Sequence, residues 1–209
     1  MSESSGRSIR SGERGREVLD AAAAVFARKG YAQTSLDDIA DELGATKGLI
    51  YHHYRSKESL LLDVLTTGAK TLIDGVRQIA RSDGDPRARL RAMAREHVRI
   101  TMTDVAYQRT AFRSLPMHVY LARRSVDERW GKLHELRAEH EGMFRDVIEQ
   151  VLKEDGRTLD SVDTRTLARG MLGALNWVNV WYREERDQDV DGIADTLAEF
   201  VVNGVSPRP

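Results

Sequence analysis

The chain is 209 residues long, 41% apolar and 31% charged, with a net charge of −1 and no cysteine. That length builds a real core, and the missing cysteine excludes disulfides, thiolate zinc sites and cysteine nucleophiles. The near-neutral charge excludes a protein basic throughout, so any contact with nucleic acid must come from local charge.

Only four prolines occur, Pro86, Pro116, Pro207 and Pro209, and no run alternates like a strand. The composition favours helix. No stretch of about 18 apolar residues is present, and the N-terminus lacks an apolar signal core, so a cytoplasmic protein without membrane segments is expected.

Residues 1–13 are rich in Ser, Gly and Arg and read as a disordered tail. A first helix is expected from about 14 to 29, with Val18, Ala22, Val25 and Phe26 at helical spacing and Gly30 as its stop. In "TSLDDIADELG", Thr34 or Ser35 can cap a short helix, Asp37 and Asp38 suit its first turn, and Gly44 ends it. Thr46 can cap a second short helix in "ATKGLIYHHY". Ser56 opens a longer one over 57–80. A packing helix followed by two short helices around a Gly-containing turn is a helix-turn-helix.

Residues 44–57 carry Lys47, Arg55 and Lys57 and no acid. The N-terminal end of the second short helix therefore presents positive charge where such a helix enters a major groove. Further helices are expected over 86–102, 106–123 (interrupted by Pro116), 126–153, 163–184 and 190–204. This gives an all-α chain of about nine helices. Its expected parts are the tail (1–13), a helix-turn-helix domain (14–56), a connecting helix (57–80) and a C-terminal helical domain (81–209).

Residues 14–65 contain "AAAAVFARKGYAQTSLDDIADELGATKGLIYHHYRSKESLL", which resembles the DNA-binding region of the tetracycline-repressor (TetR) family. The resemblance implies a homodimeric transcription regulator, usually a repressor, released from palindromic double-stranded operator DNA by a small ligand. It places DNA contacts on Thr34, Ser35, Thr46, Lys47, Gly48, Leu49, Tyr51, His52, His53 and Lys57. Elementary chemistry agrees. Lys47 and Lys57 can neutralise phosphates, and helix N-termini offer free N–H groups. Tyr54, one turn after Ile50, reads as core.

"GALNWVNVWYR", Gly173 to Arg183, resembles a helix of family members that sense acyl-coenzyme A thioesters, including regulators of fatty-acid and sterol breakdown; Glu184 stands where those often have proline. The effector implied is thus a small apolar molecule such as an acyl-coenzyme A. The alternative is a lipophilic drug, with an efflux gene as target.

Candidate effector contacts are His97, Met102, Phe112, Arg113, Met117, Tyr120, Met143, Met171, Leu175, Asn176, Val178 and Asn179, an apolar set with a few polar groups. Arg113, Arg123 and Arg124 are candidates for a phosphate head group. The helix over 167–184 is apolar on most of its circumference, so it must be covered on two sides. Gly170, Gly173, Trp177, Val180, Leu197, Phe200 and Val201 are the candidate dimer interface.

An enzyme is the rival class. No His-Glu-x-x-His, phosphate loop or nucleophile elbow occurs, and neither catalytic residues, nor a metal, nor a cofactor are expected. His134, Glu135, Glu139 and His140 read as a solvated face. A structural adaptor has no need of an acid-free recognition helix. His52 and His53, adjacent on a helix and about 100° apart, suit neither a metal nor a base.

Overall fold

The computed structural model describes residues 3–115, 127–157, 163–186 and 189–206, with side chains from residue 13 onward. Ten helices are described: α1 Glu3–Lys29, α2 Leu36–Leu43, α3 Lys47–His53, α4 Lys57–Arg81, α5 Pro86–Thr103, α6 Val105–Arg113, α7 Arg129–Glu154, α8 Thr164–Asn176, α9 Val178–Trp181 and α10 Val190–Val205. With α9 taken as the broken end of α8 the number is nine, and no strand occurs among the described residues.

Local chemistry fixes the helix ends. Gly30 ends α1 at φ 83°, its N–H donating to the Phe26 carbonyl at 2.9 Å. The Ser35 hydroxyl accepts from the Asp38 N–H while the Asp38 carboxylate accepts from the Ser35 N–H, a reciprocal cap on α2. Gly44 closes α2 at φ 62°, a conformation that costs any residue with a Cβ. The carboxylates of Asp85, Asp163 and Asp189 cap α5, α8 and α10 by accepting from N–H groups of the first turn, and Pro86 occupies the first turn of α5.

Two elements differ from the sequence expectation. Residues 3–13, expected to form a tail, are helical here. Extending an existing helix costs no new nucleus, and this stretch has no proline to stop it. The helix expected over 163–184 breaks at Trp177, whose N–H is shared between the Gly173 and Ala174 carbonyls. Asn179 Nδ2 donates to the Asn176 carbonyl at 3.1 Å. A side chain thus takes an acceptor the backbone ladder would use, which ends regular winding. The latter part of the expected 106–123 helix, residues 116–123, lies outside the described residues; α6 ends at Arg113.

The chain divides into two compact units that are not sequential: Met1–Gly68 with Ala106–Leu133, and Ala69–Val105 with His134–Pro209. The first is more than the helix-turn-helix, because α6 fastens to α1 by polar bonds at successive turns. Tyr107 Oη donates to Asp20 Oδ1 (2.5 Å), Thr110 Oγ1 to the Ala23 carbonyl (3.0 Å) and Arg113 Nη1 to the Ala27 carbonyl (2.6 Å). Val18, Ala22, Val25 and Phe26 of α1, Ile39 of α2, Ile50 of α3 and Leu60 to Leu62 of α4 are fully buried. In the second unit Leu90, Met93 and Val98 of α5, Phe144 and Ile148 of α7, Leu175 of α8 and Val202 of α10 form one core. There α10 lies along α5, with Arg95 paired to Asp191 and Asp195 at 2.7 Å each. Among the described residues no helix is long and apolar enough to cross a membrane.

Candidate nucleic-acid interface and buried polar cluster

Sequence reasoning placed ten residues at a DNA surface, and the structure sorts them. Ser35, Thr46, Lys47, Gly48, Tyr51 and His52 are exposed, Leu49 and His53 partly so. Tyr51 is 55% exposed, unusual for a large aromatic with no structural task. A Cβ added to Gly48 would meet only Thr46 Oγ1, at 3.8 Å. The protein therefore has room for a side chain there, and any need for glycine comes from outside. Thr34 differs from expectation. It is buried, and its hydroxyl donates to the Gly30 carbonyl at 2.7 Å; its side chain serves the turn.

The two histidines also part. His52 is exposed, while His53 faces back toward Gly15 of α1 and lines a surface groove of about 380 Å³ with Arg16, Tyr54 and Arg129. Tyr54 lies against Asp63, which Arg129 also holds at 2.9 Å. Burial and that carboxylate push the phenol up, in keeping with a packed rather than a DNA-facing tyrosine.

Lys57 is already engaged. Its Nζ donates to the carbonyls of Thr34 (2.6 Å) and Tyr31 (2.8 Å), has that of Ala32 at 3.5 Å, and sits 4.4 Å above the Tyr31 ring.

Three of the four acids of α2 pair with cations of the same unit. Asp37 binds Lys47 (2.5 Å), Asp38 binds Lys29 (2.7 Å) and Glu42 binds Arg28 (2.5 Å). Lys29 and the Ser35 N–H and hydroxyl hold the Asp38 carboxyl far below the usual carboxylate range. An acidic helix thus borders the surface without leaving these three charges unmatched.

The expected effector contacts fall into three groups. Met117 and Tyr120, with Arg123 and Arg124, lie outside the described residues. Phe112 and Arg113 belong to the first unit, and Arg113 corrects its reading: its guanidinium donates to the Ala27 carbonyl and lies 3.4 Å from that of Arg28. It caps the C-terminal end of α1, where a cation is favoured. The remaining eight are in the second unit. Met102, Met171, Leu175 and Val178 are buried in its core, and Met143 is packed against it.

His97, Asn176 and Asn179 form a polar seam within that core. His97, 1% exposed, has Nε2 3.2 Å from Asn176 Oδ1 and Nδ1 3.4 Å from His140 Nε2, with Phe144 edge-on to its ring. Burial lowers His97 to about 4 and His140 to about 3, so both are neutral imidazoles near pH 7. His140 was expected on a solvated face and is instead partly buried beside His97. A helical wheel of α7 carries the missed signal, since His140 shares a face with the buried Phe144 and Leu136. The seam can donate or accept hydrogen bonds but offers no charge.

Of the expected dimer residues, Gly170, Gly173, Trp177, Val180 and Phe200 are exposed, Trp177 by 57% and Phe200 by 68%. Leu197 is partly buried. Val201 corrects its reading, for it is buried in its own core. Trp181, 39% exposed, joins the apolar surface that the break at Trp177 turns outward. No group of three or more His, Asp or Glu able to hold a metal occurs among the described residues.

A capped helix-turn-helix on a long supporting helix, in a chain with a second all-helical unit, is the architecture of a class of DNA-binding transcriptional regulators. Residues 18–64 match the family described as bacterial regulatory proteins, tetR family. Residues 83–205 match the tetracyclin repressor-like C-terminal domain. The chain belongs to the TetR family. It is 33% identical over 202 residues to the HTH-type transcriptional repressor KstR2 of Rhodococcus jostii, covering 94% of each chain. It is 27% identical over 198 residues to the transcriptional activator FasR of Mycolicibacterium smegmatis, covering 94% of this chain and 85% of that one. The fold is shared with AibR, solved in complex with isovaleryl coenzyme A and operator DNA, at TM-score 0.69 and 23% identity over 88% of this chain and 97% of that one.

Proposed function

We propose that this regulator is a homodimeric repressor that binds a palindromic operator through Ser35, Thr46, Lys47, Gly48, Tyr51 and His52, and leaves it when an acyl-coenzyme A binds. The exposed, basic N-terminal end of α3 carries the reading. It offers an ammonium, a hydroxyl, free helix N–H groups and an aromatic within one turn, a set suited to phosphate and base edges.

The repressor reading is supported by the likeness to KstR2. The exposed Trp177, Val180, Trp181 and Phe200 supply a self-complementary apolar face of the kind two-fold dimers bury. Two recognition helices one DNA turn apart, roughly 34–36 Å, then meet two half-sites. The effector reading rests on "GALNWVNVWYR" and on a fold that holds isovaleryl coenzyme A in AibR. The neutral seam of His97, His140 and Asn176 suits a ligand oxygen that accepts or donates a hydrogen bond, such as a thioester or keto group.

The test is a mobility-shift titration of the promoter DNA flanking the gene with coenzyme A thioesters of graded chain length and with steroid-derived thioesters. Release by one thioester class, with no effect of free coenzyme A, supports the reading. Binding unaffected by every thioester removes this effector class and leaves a lipophilic drug-like effector.

A further inference from the structure

Arg129 opens α7, far along the chain from the helix-turn-helix, yet it belongs to the same compact unit. We propose that Arg129 is a positioning residue for DNA binding, which holds the C-terminal end of α3 in place through Asp63 and Tyr54. The inference rests on the DNA-binding reading above.

A helix of seven residues does not hold its own conformation in water. Ile50 is the buried residue of α3, and Thr46 makes no side-chain bond to its first turn. Tertiary contacts must therefore fix its direction. At its C-terminal end the backbone turns extended at Tyr54 (φ −134°, ψ 122°), whose N–H donates to the Ile50 carbonyl at 2.8 Å. The Tyr54 hydroxyl donates to the Asp63 carboxylate on α4.

Arg129 completes this joint. Its Nη1 donates to Asp63 Oδ1 and its Nη2 to Ser59 Oγ, each at 2.9 Å. Asp127 holds the other edge of the guanidinium, accepting from Nε at 3.1 Å and from Nη2 at 2.7 Å. The planar fork thus meets two carboxylates and a hydroxyl at once, an arrangement that the point charge of a lysine does not reproduce. One residue on, the buried Trp130 donates from Nε1 to Glu58 Oε1 at 3.0 Å. The start of α7 therefore grips α4 at Glu58, Ser59 and Asp63, across 66 to 72 residues of sequence. The Ser59 N–H in turn donates to the hydroxyl of Ser56, the cap of α4. The corner from α3 into α4 is bracketed on both sides by residues that Arg129 ties together.

The Arg129 side chain is 47% exposed, so the competing role is a phosphate contact. The two roles differ in salt dependence. A lost phosphate contact reduces the slope of log affinity against log salt by about one, whereas a loosened α3 weakens binding at an unchanged slope. The probe is a labelled duplex selected by the wild-type protein from a random library, with affinity read by fluorescence anisotropy from about 50 to 200 mM salt. Each variant is used well below its unfolding temperature, so that lost stability alone does not change affinity. Arg129→Gln is expected to weaken binding about tenfold with the wild-type slope, whereas Lys47→Ala lowers the slope by about one. Asp63→Asn should weaken binding similarly, and the double variant no further than either single one, because both changes cut the same joint.

Unchanged affinity or a lowered slope in Arg129→Gln, or losses that add in the double variant, overturns the inference. Where Arg129→Gln does not fold, Arg129→Lys keeps the charge without the fork; a weaker complex with unchanged slope is expected, and unchanged affinity overturns the inference. Hydrogen exchange on the free protein decides independently of DNA. Amides 51–54 are expected to exchange faster in Arg129→Gln while those of the second unit keep their wild-type protection, and unchanged protection of 51–54 overturns the inference. Failure of the wild-type protein to select any duplex overturns the DNA-binding reading and leaves the exchange measurement to judge Arg129.

Discussion

Acidification from about pH 7 to 4.5 is expected to destabilise the second unit through His97 and His140. His97 protonates near 4 in the folded chain, against 6.5 for an ordinary imidazole. Between those values the unfolded chain holds a proton that the folded chain refuses, so stability falls as pH drops. It is fully present above about 6.5 and reaches its floor near 4. The gap, at about 1.4 kcal/mol per pH unit, amounts to about 3 kcal/mol for His97. His140 acts with the same sign, and because the rings touch, the two do not add in full. Such a loss is a large share of an ordinary domain's ~5–15 kcal/mol. The carboxylates Asp38, Glu42, Asp127 and Asp163 are all held below their usual range by cations or capped N–H groups. Their contribution is present above the ordinary carboxylate range and is lost from about pH 5 downward, which leaves the part of the window above that to the histidines. Urea unfolding at fixed protein concentration, every half unit from pH 7 to 4.5, measures the effect. The double variant His97→Gln, His140→Gln should start less stable and decline more gently. Parallel curves for wild type and variant would refute the reasoning.

Phe144→Ala should lower stability by about 3–5 kcal/mol in denaturant titration, because it opens a cavity in a core where the ring is fully buried. Ser35→Ala removes the acceptor of the Asp38 N–H and should cost about 1 kcal/mol; an unchanged unfolding midpoint would argue against the cap. Trp177→Glu with Phe200→Glu should shift the protein from dimer to monomer in analytical ultracentrifugation while preserving its helical circular dichroism. A dimer that persists would remove the α8–α10 surface as the interface.

The DNA-binding helices were the most legible part of the chain, because short-range chemistry defines them. Ser35, Gly44 and Gly30 mark ends that any helix obeys, and Ile39 and Ile50 fall on the buried side by spacing alone. What escaped were side chains whose partners lie far along the sequence. Arg113 and Lys57 both read as free cations, yet each binds backbone carbonyls, about 86 and 23 to 26 residues away. A charged side chain carries no mark of whether it will meet an anion or a carbonyl. His140 was misplaced because its acidic neighbours weighed more than its helical phase. Val201 and Phe200 are adjacent on α10 and point to different sides, one into the core and one outward; an apolar pair alone does not say which is which. The break at Trp177 hangs on one amide, that of Asn179, competing with its own backbone.

Asp37 holds the very ammonium that α3 offers to its surroundings. It is a tethered rival to phosphate, present at fixed local concentration whatever the solution contains. Any polyanion that claims Lys47 must displace it first. Diffuse electrostatic attraction is thereby discounted, and a duplex that also satisfies Thr46, Tyr51 and His52 has the advantage over one that brings only charge. If Lys47 meets DNA as proposed, the carboxylate on α2 sets a small threshold against indiscriminate binding.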